Sequence, residues 1–257
     1  MSYNEAKSSH DKVLKLKQLK NIWIVKPGEN TNRGVGITVQ TKLNEIKNIV
    51  GTESHGSRTF ILQKYIENPA LYKNRKFDIR TFAMITSVNG HLKAFNYDDG
   101  YLRTSGREYN LKNFNKFIHL TNDAVQKRSD DYGRFEFGNK VSFQEYQQYL
   151  NQTVPHLNID FRQHIFSQVK RIMSDTLHAC YNLIDPNKRQ HSFEIFGYDF
   201  MLDENFKVYL IEANTNPCLE TTCPILQKII TDVIDSGMRI ALDPLFPPPN
   251  FQKRMSM

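Results

Sequence analysis

The sequence is short of cysteine and of long apolar runs. Its three cysteines, Cys180, Cys218 and Cys223, are too few and too irregularly spaced for a zinc site or a disulfide framework, which points to a reducing compartment. No apolar stretch is long enough to span a bilayer. Residues 1–20 (MSYNEAKSSHDKVLKLKQLK) are basic and polar, without the apolar core of a secretory signal. Internal repeats are missing, as are helix-turn-helix, zinc-finger and RNA-recognition signatures, so nucleic acid has only charge in its favour as a partner. These absences leave the expectation of a soluble cytoplasmic protein.

What is present is a 257-residue chain with 39% hydrophobic and 24% charged residues, enough for one large domain or two lobes. A net charge of +7 favours an acidic partner, a nucleotide or an acidic protein among them. Residues 21–26 (NIWIVK) and 37–40 (ITVQ) predict a hairpin around the turn-rich tip PGENTNRGVG, and 58–66 a further strand. KFDIRTFAMITS and HLKAFNYDDGYLRTS predict strands joined at Asn89-Gly90. Residues 107–140 lack a period and predict a long ordered loop. Ser142 and Glu145 make a capping box for a helix over 142–150, and helical spacing continues over 161–184. FEIFGYDFML and FKVYLIEAN predict a second hairpin about a DEN turn, followed by a helix over about 223–241 and an extended tail. Hairpins separated by helices indicate an α+β fold.

Three constellations carry chemistry. In the tip, Gly34 and Gly36 can turn backbone N–H groups toward phosphate, with Lys26 and Arg33 adding charge; no Walker A pattern is present, and a plain hairpin loop is the competing reading. On the strand KFDIR, Lys76, Asp78 and Arg80 share one face, with Arg103, Gln63 and Lys64 on neighbouring strands; the competing reading is a solvated sheet face. Glu212 and Asn214 share a face at a strand end, with Asp199 across the hairpin, an oxygen set suited to Mg²⁺. A nucleoside triphosphate with Mg²⁺ satisfies all three at once.

Taken in order, WIVKPGENTNRGVGI, ILQKYI, RKFDIRTF, YLRTS, HLTNDAVQ, FGYDFML and YLIEANTNP resemble the tubulin–tyrosine ligase-like family over about residues 21–245. The resemblance implies an ATP-grasp fold with two lobes around ATP: a basic segment 1–20, a first lobe 21–66, a second lobe 67–245 and a Pro-rich tail 246–257. The family's further N-terminal domain is then largely absent, with about 20 residues before NIWIVK. It also implies roles. Lys26 binds phosphate, the loop Arg33, Gly34, Val35, Gly36 closes over the triphosphate, and Gln63, Lys64 and Ile66 receive adenine. Lys76 holds phosphate, Asp78 the ribose side, and Asp199, Glu212 and Asn214 hold Mg²⁺. Arg80 and Arg103, with His119, Thr121 and Asn122 of HLTN, serve the acceptor and the free amino acid; for His119 alone a structural role is the alternative. Lys26, Lys76, Arg80 and Arg103 carry the charge stabilisation of phosphoryl transfer. The implied activity adds a free amino acid, glutamate before glycine or tyrosine, to acidic tails of tubulin or microtubules. That places the protein on the cytoskeleton, the cilium or basal body included. A silent tubulin-binding module is the alternative from another class.

Overall fold

The computed structural model describes residues 21–28, 34, 36–52 and 59–249. Arg33, Val35, segment 1–20 and the last eight residues of the expected tail lie outside the described residues. In the first sheet, β1 (Trp23–Pro27) pairs antiparallel with both β2 (Thr38–Gln40) and β3 (Phe60–Lys64), giving the order β2-β1-β3. The expected hairpin is β1–β2, and β3 flanks it from the other side. The helix α1 (Leu43–Thr52) follows β2, burying Ile46.

The second sheet holds β4 (Leu71–Tyr72), β5 (Arg75–Val88), β6 (His91–Glu108), β7 (Lys140–Ser142), β8 (His191–Leu202) and β9 (Val208–Asn214). Its path is β7-β6-β5-β8-β9, with β4 paired to β5, and every pairing is antiparallel. The β5–β6 turn is Asn89-Gly90, with φ of 53° and 76°, the left-handed conformation that this dipeptide adopts cheaply. One face of the sheet packs on α4 (Phe143–Thr153), a π-helical turn (Phe161–Phe166) and α5 (Ser167–Ile184), through Phe77, Ile79, Ala83, Phe161, Val169 and Met173. On the opposite face, α6 (Pro224–Ala241) covers Phe82, Tyr101 and Ile195.

Strand β5 positions the site because that second face is divided along its length. Phe82 lies under α6, while Lys76 and Asp78 face the cleft shared with the first sheet and Arg80 bonds Asp199 on β8. These three charged residues are 3%, 6% and 6% exposed, so the reading of a solvated sheet face is wrong. Nor are residues 107–140 a plain loop. They contain α2 (Lys116–His119), α3 (Asp123–Gln126) and a one-turn helix at Phe137–Asn139. Asn115 and Asn122 start the first two by accepting from Phe117 N and Ala124 N. Helices of one turn have no 3.6-residue period to read. The helix expected over 161–184 opens as a π-helical turn before α5, and the tail starts as a turn in which Leu245 N and Phe246 N bond to Leu242 O.

Candidate functional site

The two sheets enclose a cleft of about 950 Å³, open solvent included. Ile24, Lys26, Gly34 and Ile37 line it from the side of the first sheet, and Gln63, Lys64, Tyr65 and Ile66 form its back wall. From the second sheet and the segment around α2 come Lys76, Asp78 and Arg103, then His119, Thr121 and Asn122, then Asp199, Met201, Leu210 and Glu212. Most residues singled out in the sequence thus meet in one place, though they span almost two hundred positions. Arg80 and Asn214 stand directly behind the lining. Gly34 and Gly36 have φ of 74° and 76°, which a side chain would resist.

Alternating charge organises the floor. Arg103 grips Asp78 with Nε and Nη2 at 2.6 and 2.9 Å, and its Nη2 also reaches Asp199 at 2.7 Å. Arg80 binds Asp199 in turn through Nε and Nη2, and Thr121 donates its hydroxyl to Asp78. Strand register sets this up, since Asp78 faces Arg103 and Arg80 faces Asp199 in adjacent pairs. Burial works against the Asp199 carboxylate, but the Arg103 and Arg80 guanidiniums outweigh it and hold its pKa below the usual carboxylate range. Gly197 makes room for Arg80: a Cβ there would come within 2.8 Å of Pro217 Cβ and 3.3 Å of Arg80 Nη1.

The two lysines of the cleft differ. Burial lowers the Lys26 pKa, while Glu212 and Asp199 oppose the shift. Lys76 lies deeper, its Nζ donating to His119 O at 2.7 Å and standing 4.5 Å from the Tyr65 ring centre. Lys64 is used as a brace, its Nζ bonding Glu67 Oε1 at 2.8 Å and Ile22 O at 3.3 Å. Glu67 Oε1 also accepts from Ile22 N, so this carboxylate ties the back wall to the start of β1.

His119 is 1% exposed, with both ring nitrogens committed. Nδ1 pairs with the Tyr65 hydroxyl at 2.8 Å and Nε2 with Asn113 O at 2.7 Å, and Phe114 stacks on the ring. That geometry favours the structural reading of this side chain, joining the back wall to α2. Its pKa is lowered by burial, with the Asn113 bond opposing and Lys76 assisting.

At the strand end, Asp199 faces Glu212 and Gly197 faces Asn214. Asn214 Nδ2 donates to Gly197 O and Glu212 Oε1, both at 3.4 Å, which turns its amide oxygen to other partners. Among the described residues, no group of three His, Cys, Asp or Glu side chains gathers as a metal site. The set here has two carboxylates and one amide, so it would need oxygens from elsewhere to complete a shell.

Sequence reasoning missed several residues at the site. Ile24 and Met201 line the apolar end, two positions from Lys26 and Asp199, and the period of two along a strand was the signal for both. Lys140, beside Arg103 in the register and bonded to Asp123, is a further buried cation that a three-residue strand gave no pattern to reveal.

The Tubulin-tyrosine ligase family profile matches residues 2–253. Tubulin glycylase 3D of Tetrahymena thermophila is 37% identical over 237 residues, covering 91% of this chain and 22% of that protein. Probable alpha-tubulin polyglutamylase Ttll1 of the same organism is 35% identical over 230 residues, covering 86% and 54%. Human protein monoglycylase TTLL8 is 31% identical over 234 residues, covering 88% and 26%. The chain therefore spans about a fifth to a half of the length of these relatives. With its α+β architecture of antiparallel sheets about one charged cleft, the chain belongs to the tubulin-tyrosine ligase family and has its ATP-grasp-like fold.

Proposed function

We propose that this chain is the nucleotide-binding and catalytic part of an ATP- and Mg²⁺-dependent ligase that joins a free amino acid to a glutamate carboxylate on an acidic tubulin tail. The observation that carries the reading is the polarity of the cleft. Ile24, Met201 and Leu210 provide an apolar slot beside the back wall, suited to a base. Lys26, Lys76 and Arg103 provide cations for phosphate, and Glu212 with Asp199 provides carboxylates for a divalent ion.

Asp199, Glu212 and Asn214 fit Mg²⁺, because a few protein oxygens completed by phosphate and water is the shell this ion prefers. Bound there, the ion would supply charge neutralisation at the phosphates. The chain's own residues orient and stabilise. Lys26 and Lys76 hold the phosphates, Gln63, Lys64 and Ile66 the base and Asp78 the sugar side, while Thr121, bonded to Asp78, and Asn122 serve the acceptor and the free amino acid. Arg103, held by Asp78 and Asp199 in the cleft lining, serves the carboxylate being activated, and Arg80, bonded to Asp199 behind the lining, adds positive charge. In the reaction, an acceptor carboxylate oxygen attacks the terminal phosphorus and ADP leaves. The donor amine then attacks the acyl carbon, phosphate leaves, and the amine gives up a proton to solvent.

The names of the relatives support glycine as the donor as well as glutamate, so the initial preference for glutamate has no special standing. The intact mass of tubulin, after incubation with the chain, Mg²⁺-ATP and single amino acids, tests the proposal. The expected result is an ATP-dependent gain of one glycyl or one glutamyl residue, lost in Glu212→Gln. Nucleotide binding without any gain would favour the silent tubulin-binding module.

A further inference from the structure

Lys64, Arg80 and Arg103 each bond a carboxylate, whereas Lys76 bonds a carbonyl. The residue is 3% exposed, and among the described residues its ammonium donates one hydrogen bond, to a carbonyl, His119 O. The nearest carboxylate on its own strand, Asp78, has both oxygens taken by Arg103 and one of them also by Thr121. Resting on the nucleotide reading above, we propose that the cleft takes up a proton when a nucleoside triphosphate enters it, and that Lys76 receives that proton.

The physical case is one of desolvation. A buried ammonium with a single carbonyl acceptor is costly, and a neutral amine in the same place is not. The groups facing Lys76 do little to change that. Lys26 on β1 is a second cation, Tyr65 on the back wall offers a ring face, and His119 on α2 offers its carbonyl beside a ring that burial keeps neutral. Arg103 on β6 faces Asp78 and Asp199 and cancels much of their pull. Glu212 on β9 acts mainly on Lys26. Burial therefore brings the Lys76 ammonium down to about 7, with Asp78 opposing and Lys26 assisting. A triphosphate brings several negative charges to the same pocket and restores the charged form.

The sign follows directly. Affinity is fullest below the pKa of the empty cleft and falls as pH rises above it. From pH 6 to pH 8 the triphosphate should bind about tenfold more weakly, because roughly nine-tenths of the Lys76 amines are neutral at the upper pH. The first test is titration calorimetry of the 257-residue chain with Mg²⁺ and a non-hydrolysable ATP analogue, in buffers of different ionisation enthalpy. The expected outcome is an enthalpy that varies with the buffer, with close to one proton taken up at pH 8 and little at pH 6. Binding heat that does not depend on the buffer overturns the inference and leaves the nucleotide reading intact. No binding at either pH overturns both.

A second test needs no variant. Carbon-13 spectra of lysine-labelled protein should show one lysine titrating near neutrality in the empty cleft and ceasing to do so with the analogue bound. Lys76→Arg, whose side chain stays charged, should then remove the proton uptake. Uptake that persists in Lys76→Arg assigns the proton to another group and overturns the assignment.

Discussion

At the residue scale, the floor of the cleft depends on guanidiniums serving two carboxylates at once. Arg103 is buried and bonds both Asp78 and Asp199, and these carboxylates keep it charged against its own desolvation. Removing it strands negative charge in a dry site. Arg103→Ala should therefore destabilise the fold by about 3–5 kcal/mol, read as a lowered urea midpoint at unchanged slope. A loss under about 1 kcal/mol would mean that Asp78 and Asp199 find other partners. The sequence identified Arg103, Asp78 and Asp199 separately, but not that one side chain holds the other two, because their pairing depends on strand register.

At the element scale, the parts that obey local rules were legible and the parts held by tertiary contacts were not. Helix α4 begins with a reciprocal capping box: Ser142 Oγ accepts from Glu145 N at 3.1 Å, and Glu145 Oε2 accepts from Ser142 N at 2.7 Å. Ser142→Ala should cost about 1 kcal/mol in stability with the cleft intact, measured by denaturant melts alongside nucleotide affinity. A fall in affinity matching the fall in stability would show that β7 and α4 are coupled to the site. By contrast, α2 and α3 have four residues each and no apolar period, yet α2 carries His119 and α3 immediately follows Asn122. Gln126 holds them in place, donating to Phe117 O and Leu120 O and accepting from Gly106 N. Nothing in the linear pattern around Gln126 marks it as that anchor.

At the scale of the whole molecule, the buried ionisable groups predict how stability changes with pH. His119 is held neutral, so its folded pKa is below the unfolded value and its contribution is lost as pH falls below about 6.5. Asp199 and Asp123 are held charged below the usual carboxylate range, Arg103 and Lys140 respectively outweighing burial. Their contribution is present above about pH 4 and is lost below it. Acidification should therefore weaken the fold in two stages, a shallow one below about 6.5 and a steep one below about 4, read as urea midpoints against pH. His119→Asn should remove the first stage, and a curve flat from 6.5 to 5 in the unaltered chain would contradict the assignment.

The sequence by itself determined the α+β class, the hairpins, the capped helix and the order of motifs that marks the family. Each of these is local, arising from turn residues, alternation along a strand or caps at a helix start. It also placed Glu212 and Asn214 on one face, since two residues along a strand return to the same side. Only the tertiary structure decided that Lys76, Asp78 and Arg80 are buried rather than solvated, because β5 shows the same alternation in either setting. It likewise decided that His119 serves its neighbours, since a side chain's free atoms depend on who surrounds it.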